Sequence, residues 1–222
     1  MNGKKLTLAT VAIALALFAL TATPLLALDT VIGETGIMLN GERQHVRTQE
    51  TNLGNLVADM TREYTGADIA VWNGGGIRAS AGLGEITLEG AMEIMAFNNE
   101  IVALEMTGNQ IKAMLEHGVS SFPEVSGKFL QVSGLRFLFD PSRPAGQRVQ
   151  EIYVGSAPME PGRTYVVATN EFLAAGGDDY TMLGDAEQIE IFDLTDQQLF
   201  IRYIQQNSPL FPMVEGRIVV IR

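Results

Sequence analysis

The sequence predicts a single mixed-sheet α/β domain of the α+β type over residues 28–222, preceded by a leader over residues 1–27. Three observations carry this prediction. Helical and strand-type periodicities alternate along the chain from residue 28 to its end. Apolar residues make up 46% of the 222, enough for one full core. No internal repeat, low-complexity tract or Ser/Gly linker divides the remainder into smaller units.

The leader reads as an export signal. MNGKK supplies a basic start, and LTLATVAIALALFALTATPLLA is an uncharged apolar run ending in small residues. Cleavage is expected after Ala27. Leu25 is bulky for the minus-three position, and an uncleaved leader would make residues 6–27 a membrane anchor. Either way the domain is expected outside the cytoplasm, periplasmic or secreted. The chain has no cysteine, which excludes a lipid-modified cysteine anchor and a disulfide framework.

The elements follow in order. TQETNLGNLVADMTREYTG sets Leu53, Leu56, Val57, Met60 and Tyr64 at helical spacing, with Gly66 as the stop. ADIAVW is a short buried strand that runs into NGGGIR. TLEGAMEIMAF is a helix with Thr87 as N-cap and Ala91, Ile94 and Met95 on one face. NEIVALEMT alternates as a strand. Thr107 and Gln110 have capping-box spacing at the head of TGNQIKAMLEHG, which buries Ile111, Met114 and Leu115. LRFLF, VQEIYV, TYVVAT, QIEIF and RIVVIR are strand-like. Thr195 and Gln198 repeat the capping box ahead of TDQQLFIRYIQQN, whose apolar face is Leu199, Phe200, Tyr203 and Ile204 and which Asn207 and Pro209 close.

Charge narrows the functional classes. Without Lys4 and Lys5 of the leader, 13 basic side chains stand against 26 acidic ones, a formal charge of −13. Such a surface repels polyanions, so nucleic acid and anionic membrane faces are not expected partners. The only histidines are His45 and His117, too few for an imidazole-based zinc or dinuclear centre. His117, before Gly118 at a helix end, fits a role against the helix dipole. No GxSxG elbow is present.

Chemistry concentrates in three loops. NGGGIR, Asn73 to Arg78, holds three consecutive glycines, each costing roughly 0.5 to 1 kcal/mol relative to alanine. Bare backbone there lets a ligand approach and lets amides point into a cleft. The same residues equally suit a tight turn with positive φ. The loop lacks the lysine and hydroxyl residue of a Walker loop and the spacing of GxGxxG. Arg43, Arg47 and Arg78 surround it, and matter if they converge on one anion; otherwise they are solvated surface. In NEFLAAGGDDYTML, Phe172 precedes a small-residue turn carrying Asp178 and Asp179, and in AFNNE, Phe97 precedes Asn98 and Asn99. An exposed phenylalanine stacks on a planar ring, and a neighbouring acid bonds a sugar diol; a buried one is a core anchor.

Taken together and in order, NLGNL, NGGGIR, ITLEGAMEIMAF, EIVALEMTGNQIKAMLE, FLQVSGLRFLFD, NEFLAAGGDDY and VEGRI resemble the C-terminal, substrate-recognition domain of the secreted 5′-nucleotidase family. That family includes bacterial periplasmic UDP-sugar hydrolases and ecto-5′-nucleotidases. The resemblance implies that Phe97 and Phe172 sandwich a nucleobase and that Asp178 bonds the ribose hydroxyls. It implies that Arg47, Arg78 and, as a third, Arg43 approach the phosphate. Asn73 and Gly75 would line the slot in the glycine loop, and Asn99 would add a polar contact to the base. The implied ligands are a nucleoside monophosphate, a nucleoside or a UDP-sugar.

The resemblance also marks departures. Family members carry an N-terminal metallophosphoesterase domain whose two metal ions activate the attacking water, and the sequence shows no counterpart. No cofactor and no catalytic residue are therefore expected in this chain. Glu171 replaces an asparagine before the second phenylalanine, and Asn98 replaces the usual glycine after the first. The resulting expectation is an exported nucleotide-recognition domain, the non-catalytic half of a nucleotide phosphohydrolase of nucleotide catabolism, working with a separate metallophosphoesterase chain or as a free-standing binder. The alternatives are a hydrolase active on its own and an interaction module with a degenerate pocket. A third, from the likeness of GGDDY to the GGDEF signature of diguanylate cyclases, lacks the hairpin context.

Overall fold

The computed structural model describes residues 27–221. The leader expected over residues 1–27 lies, but for Ala27, outside the described residues. Among those described, no helix is long and apolar enough to cross a membrane.

In chain order the first elements are β1 (Val31–Thr35), α1 (Arg43–Val46), α2 (Asn52–Thr65), β2 (Ile69–Asn73), β3 (Gly84–Thr87), α3 (Leu88–Ile94), β4 (Glu100–Thr107) and α4 (Gly108–Gly118). There follow β5 (Leu130–Ser133), β6 (Leu135–Phe139), β7 (Val149–Val154), β8 (Ala157–Pro158), β9 (Thr164–Asn170), α5 (Glu171–Ala174), α6 (Thr181–Gly184), β10 (Glu187–Thr195), α7 (Asp196–Asn207) and β11 (Ile218–Val220). A mixed sheet in the order β10-β4-β9-β2-β5 carries the molecule; β9 and β2 are parallel, and the other pairs are antiparallel. A second sheet, β11-β6-β7-β8, and a ribbon of β1 with β3 complete the architecture.

β2 sits inside the main sheet, and all five of its residues are buried. Alternation along it feeds two cores. Val71 joins a core that also holds Leu104, Met114 and Leu115 and, from the second sheet, Phe137 and Phe139. Trp72 points the other way, into a core with Leu53, Val57, Met60, Ile94, Phe200 and Ile204 from α2, α3 and α7. Each fully buried side chain of this size contributes roughly 1.5–3 kcal/mol.

The helix ends follow the local signals. Gly66 closes α2 at φ 68°, and Thr87 accepts the amide of Gly90 at 3.1 Å. Capping boxes open α4 and α7, with Thr107 N donating to Gln110 Oε1 at 2.9 Å and Thr195 N to Gln198 Oε1 at 3.1 Å. α3 stops at Ile94, short of Phe97, because the Ile94 carbonyl accepts Arg78 N at 3.0 Å from the neighbouring loop.

One end of the main sheet gathers loops. The parallel strands β2 and β9 finish there, and the antiparallel neighbours β5 and β4 begin there, with Asn73 opposite Leu130 and Asn170 opposite Ile101. The glycine loop, the Phe97–Asn99 turn, the segment before β5 and α5 thus meet at the carboxyl ends of the two parallel strands. Open α/β sheets place their ligand crevices at such ends.

Candidate functional site

A cleft of about 330 Å³ opens at this end. Arg47, Asn73, Gly75, Arg78, Phe97, Asn99, Phe172 and Asp178 line it, joined by Gly76 and Gly127. Of the residues singled out in the sequence, Arg43 does not reach the lining; it stands in α1, and its charge is felt by Arg47.

The glycine loop is not the expected turn of positive φ, although Gly75 and Gly76 do line the cleft. None of Gly74, Gly75 and Gly76 has positive φ. Their amides do not open on the cleft either: Gly74 N donates to Phe129 O at 2.7 Å, Gly75 N to Gly127 O at 2.8 Å and Gly76 N to Asn73 O at 2.8 Å. The glycines are needed for close approach within the chain. A Cβ on Gly74 would lie 2.2 Å from Val46 O and 3.2 Å from Arg47 Cγ, and one on Gly76 would lie 2.8 Å from Trp72 Nε1. The loop makes room for the turn that delivers Arg47.

That turn is held from behind. The buried Gln131 donates Nε2 to Val46 O at 3.0 Å and to Gln49 O at 2.8 Å, while its Oε1 accepts Thr51 N at 3.1 Å. The buried carboxylate of Glu50 accepts Glu215 N at 2.7 Å and Arg217 N at 2.6 Å. So braced, Arg47 is 7% exposed, and its Nε has no hydrogen-bond partner. Burial, followed by the positive charges of Arg43 and Arg78, lowers its pKa, against the opposing pull of Asp178. Ion pairs among the described residues involve Arg143 and Arg217, and none engages Arg43, Arg47 or Arg78. In a protein of formal charge −11, three guanidiniums without carboxylate partners form a local positive field able to hold a small anion.

Phe97 and Phe172 are 56% and 44% exposed, so neither is a core anchor. Arg78 rests its guanidinium over Phe97, 5.5 Å from the ring centroid, and its Nη1 donates weakly to Gly75 O at 3.4 Å. Gly177 leaves space for Phe172, whose ring a Cβ there would meet at 2.6 Å.

Asp178 lies in a single 3-10 turn, Gly177–Asp179, rather than a hairpin. It holds φ 53°, Asp179 holds φ 65° and Asn98 holds φ 56°, the three non-glycine residues of positive φ among those described. Such backbone costs energy and clusters at functional sites. For Asn98 it explains the departure from glycine, since asparagine tolerates this region better than other side chains; its Oδ1 also accepts Thr195 Oγ1 at 2.6 Å. A polar relay fixes Asp178: Leu173 N donates to Asn170 Oδ1 at 2.9 Å, Asn170 Nδ2 to Asn73 Oδ1 at 3.3 Å, and Asn73 Nδ2 to Asp178 Oδ2 at 2.8 Å.

His117 adds to that clamp. Its Nε2 lies 2.8 Å from the carbonyl of Asp178, which can only accept, so that nitrogen carries the proton. The ring is edge-on to buried Tyr180, whose hydroxyl donates to Lys128 O and whose pKa burial raises. His117 does lie in the last turn of α4, where the dipole favours it, but its hydrogen bond adds a second function.

Gln131, Asn170 and Asp196, which contacts Asn99, were not singled out by sequence, and His117 was read only as a helix-end residue; each braces a lining residue through a partner distant in the chain. Among the described residues no three His, Asp or Glu side chains are grouped to hold a metal ion.

The chain matches the family model described as 5′-nucleotidase, C-terminal domain, over residues 31–185. It is 40% identical over 197 residues to the trifunctional nucleotide phosphoesterase protein YfkN of Bacillus subtilis, covering 84% of this chain and 14% of that protein. It is 35% identical over 210 residues to a snake venom 5′-nucleotidase of Macrovipera lebetinus, covering 84% of this chain and 51% of the other. The crystal structure of a 5′-nucleotidase precursor from Thermus thermophilus superposes with a TM-score of 0.82 at 42% identity, covering 86% of this chain and 39% of that one. The chain thus spans half or less of the length of many relatives it matches.

Proposed function

The chain belongs to the 5′-nucleotidase C-terminal domain family, and from that premise we propose that its cleft binds a nucleoside monophosphate or a related nucleotide. In this reading Phe97 and Phe172 stack on the base, Asp178 accepts from the ribose diol, and Arg47 and Arg78 hold the phosphate, with Arg43 adding to the field. Asn73 positions Asp178, Gly75 forms the wall, and Asn99 faces the base edge. The observation that carries this reading is Arg47: a braced, buried guanidinium whose Nε lacks a partner, on a cleft that also holds two exposed aromatic rings. A buried charge without an ion-pair partner is costly, and a phosphate in the cleft would supply the counter-charge.

The groups assembled here bind and orient. The domain's part is recognition in nucleotide catabolism, and bond cleavage is assigned to a metallophosphoesterase unit outside the described residues, whether linked or separate. Export to the periplasm or exterior is part of the same proposal, supported by the apolar leader sequence and by a venom enzyme among the relatives.

Calorimetric titration with AMP, UMP, adenosine and UDP-glucose tests it. Saturable binding is expected, with loss on Phe172→Ala or Arg47→Ala. Absence of heat with all four at millimolar concentration would refute it.

A further inference from the structure

Asn99 lines the cleft, and its amide is oriented from behind by Asp196. Asn99 Nδ2 donates to Asp196 Oδ2 at 3.2 Å, and Asp196 N donates to Asn99 O at 2.9 Å, so side chain and backbone lock the same pair. Asp196 is 2% exposed, and its other oxygen accepts Gln197 N at 2.6 Å. At pH 7, above its raised pKa of about 6, Asp196 is a carboxylate, which only accepts. Asn99 must therefore turn its NH2 toward Asp196, and its Oδ1, paired with no donor among the described residues, is what remains for a ligand.

The loop that presents this oxygen is itself braced. Asn98, between Phe97 and Asn99, holds its left-handed backbone while accepting a bond from Thr195, so a stacking ring and an acceptor are offered from one turn.

Resting on the nucleotide-site reading above, we propose that Asn99, held by Asp196, reads the base edge as a hydrogen-bond acceptor, so that the site favours bases with an exocyclic amino group, adenine and cytosine, over hypoxanthine and uracil. An amino group projects N–H bonds from the ring edge in the ring plane. In the oxo bases a carbonyl oxygen occupies the same position and sets acceptor against acceptor, which leaves both unpaired. An asparagine free to rotate would accommodate either edge; the buried carboxylate removes that freedom. Asp196 acts through Asn99 and is a positioning residue.

The test is calorimetric titration of the chain with two pairs, AMP against IMP and CMP against UMP. AMP is expected to bind about tenfold more tightly than IMP, and CMP to exceed UMP in the same sense. Asp196→Asn keeps the shape but can donate as well as accept, so the AMP-to-IMP ratio should fall toward one with little change in AMP affinity. Asn99→Ala should abolish the ratio without touching the buried position, which covers a failure of Asp196→Asn to fold. Equal affinity for AMP and IMP in the unaltered chain, or a ratio that survives the variants, would overturn this assignment while leaving the nucleotide site standing. Failure of all four nucleotides to bind would overturn both.

Discussion

Asn73 and Asp178 are 105 residues apart in sequence and joined by a single hydrogen bond of 2.8 Å, from the amide of the glycine loop to the carboxylate of the acidic turn. The bond leaves the other carboxylate oxygen available. Replacing Asn73 by Asp sets two carboxylates against each other, so affinity for AMP should drop more than tenfold. Asp178→Ala should remove the distinction between AMP and its 2′,3′-dideoxy analogue, because the diol then has no acceptor. Both are read by titration.

Arg47 separates stability from affinity. Its buried charge is a burden in the free protein, so Arg47→Met, which keeps the apolar stem, should raise the melting temperature. A gain of about 1 kcal/mol corresponds to roughly 2–4 °C in a chain of this size. The same variant should weaken nucleotide binding at least tenfold and reduce its dependence on salt. A fall in both stability and affinity would contradict this account.

Gly74→Ala tests the packing role of the glycine loop. Its Cβ would meet a backbone carbonyl, which cannot swing aside as a side chain can. Overpacking of this kind costs about 1–3 kcal/mol. Thermal unfolding should show the loss, and Gly82→Ala, where nothing lies within 4 Å, should show almost none.

Asp196 gives a pH dependence of definite sign. Burial raises its pKa from 3.8 to about 6, Glu171 adds to the rise, and the bonds from Asn99 and Gln197 oppose it. The folded state therefore holds this proton more tightly than the unfolded chain. Its contribution to stability should fall as pH rises from about 4 to about 6 and stay level above that, by up to about 3 kcal/mol. Asp196→Asn should flatten this part of a stability profile measured by urea unfolding between pH 4 and 7.

The features legible in the sequence were those whose partners lie within a few residues. Gly66, Thr87 and the Thr107 and Thr195 capping boxes mark real helix ends because a cap is satisfied within one turn. Strand order was not legible, since β4 lies between β10 and β9 through pairings that skip along the chain. Most of the lining residues emerged from ordered motifs; Arg43 stays outside the lining, and Gly127, inside it, carried no signal. The braces stayed hidden: Gln131 reaches back 85 residues to Val46, and Asn99 finds Asp196 97 residues on. That the glycines were needed was readable, but the carbonyl of Val46 that makes Gly74 necessary was not.

The convergence of loops at one end of the main sheet has a thermodynamic consequence. Arg47, Asn73, Phe97 and Asp178 meet only when β2, β4, β5 and β9 are all paired, so a ligand touching them binds the folded chain and has nothing to grip in the unfolded one. Mass action then makes it a clasp on the whole sheet: at a hundred times its dissociation constant it adds about 2.7 kcal/mol against unfolding. Protease resistance and melting temperature, both measurable on crude protein, become assays for occupancy of the cleft.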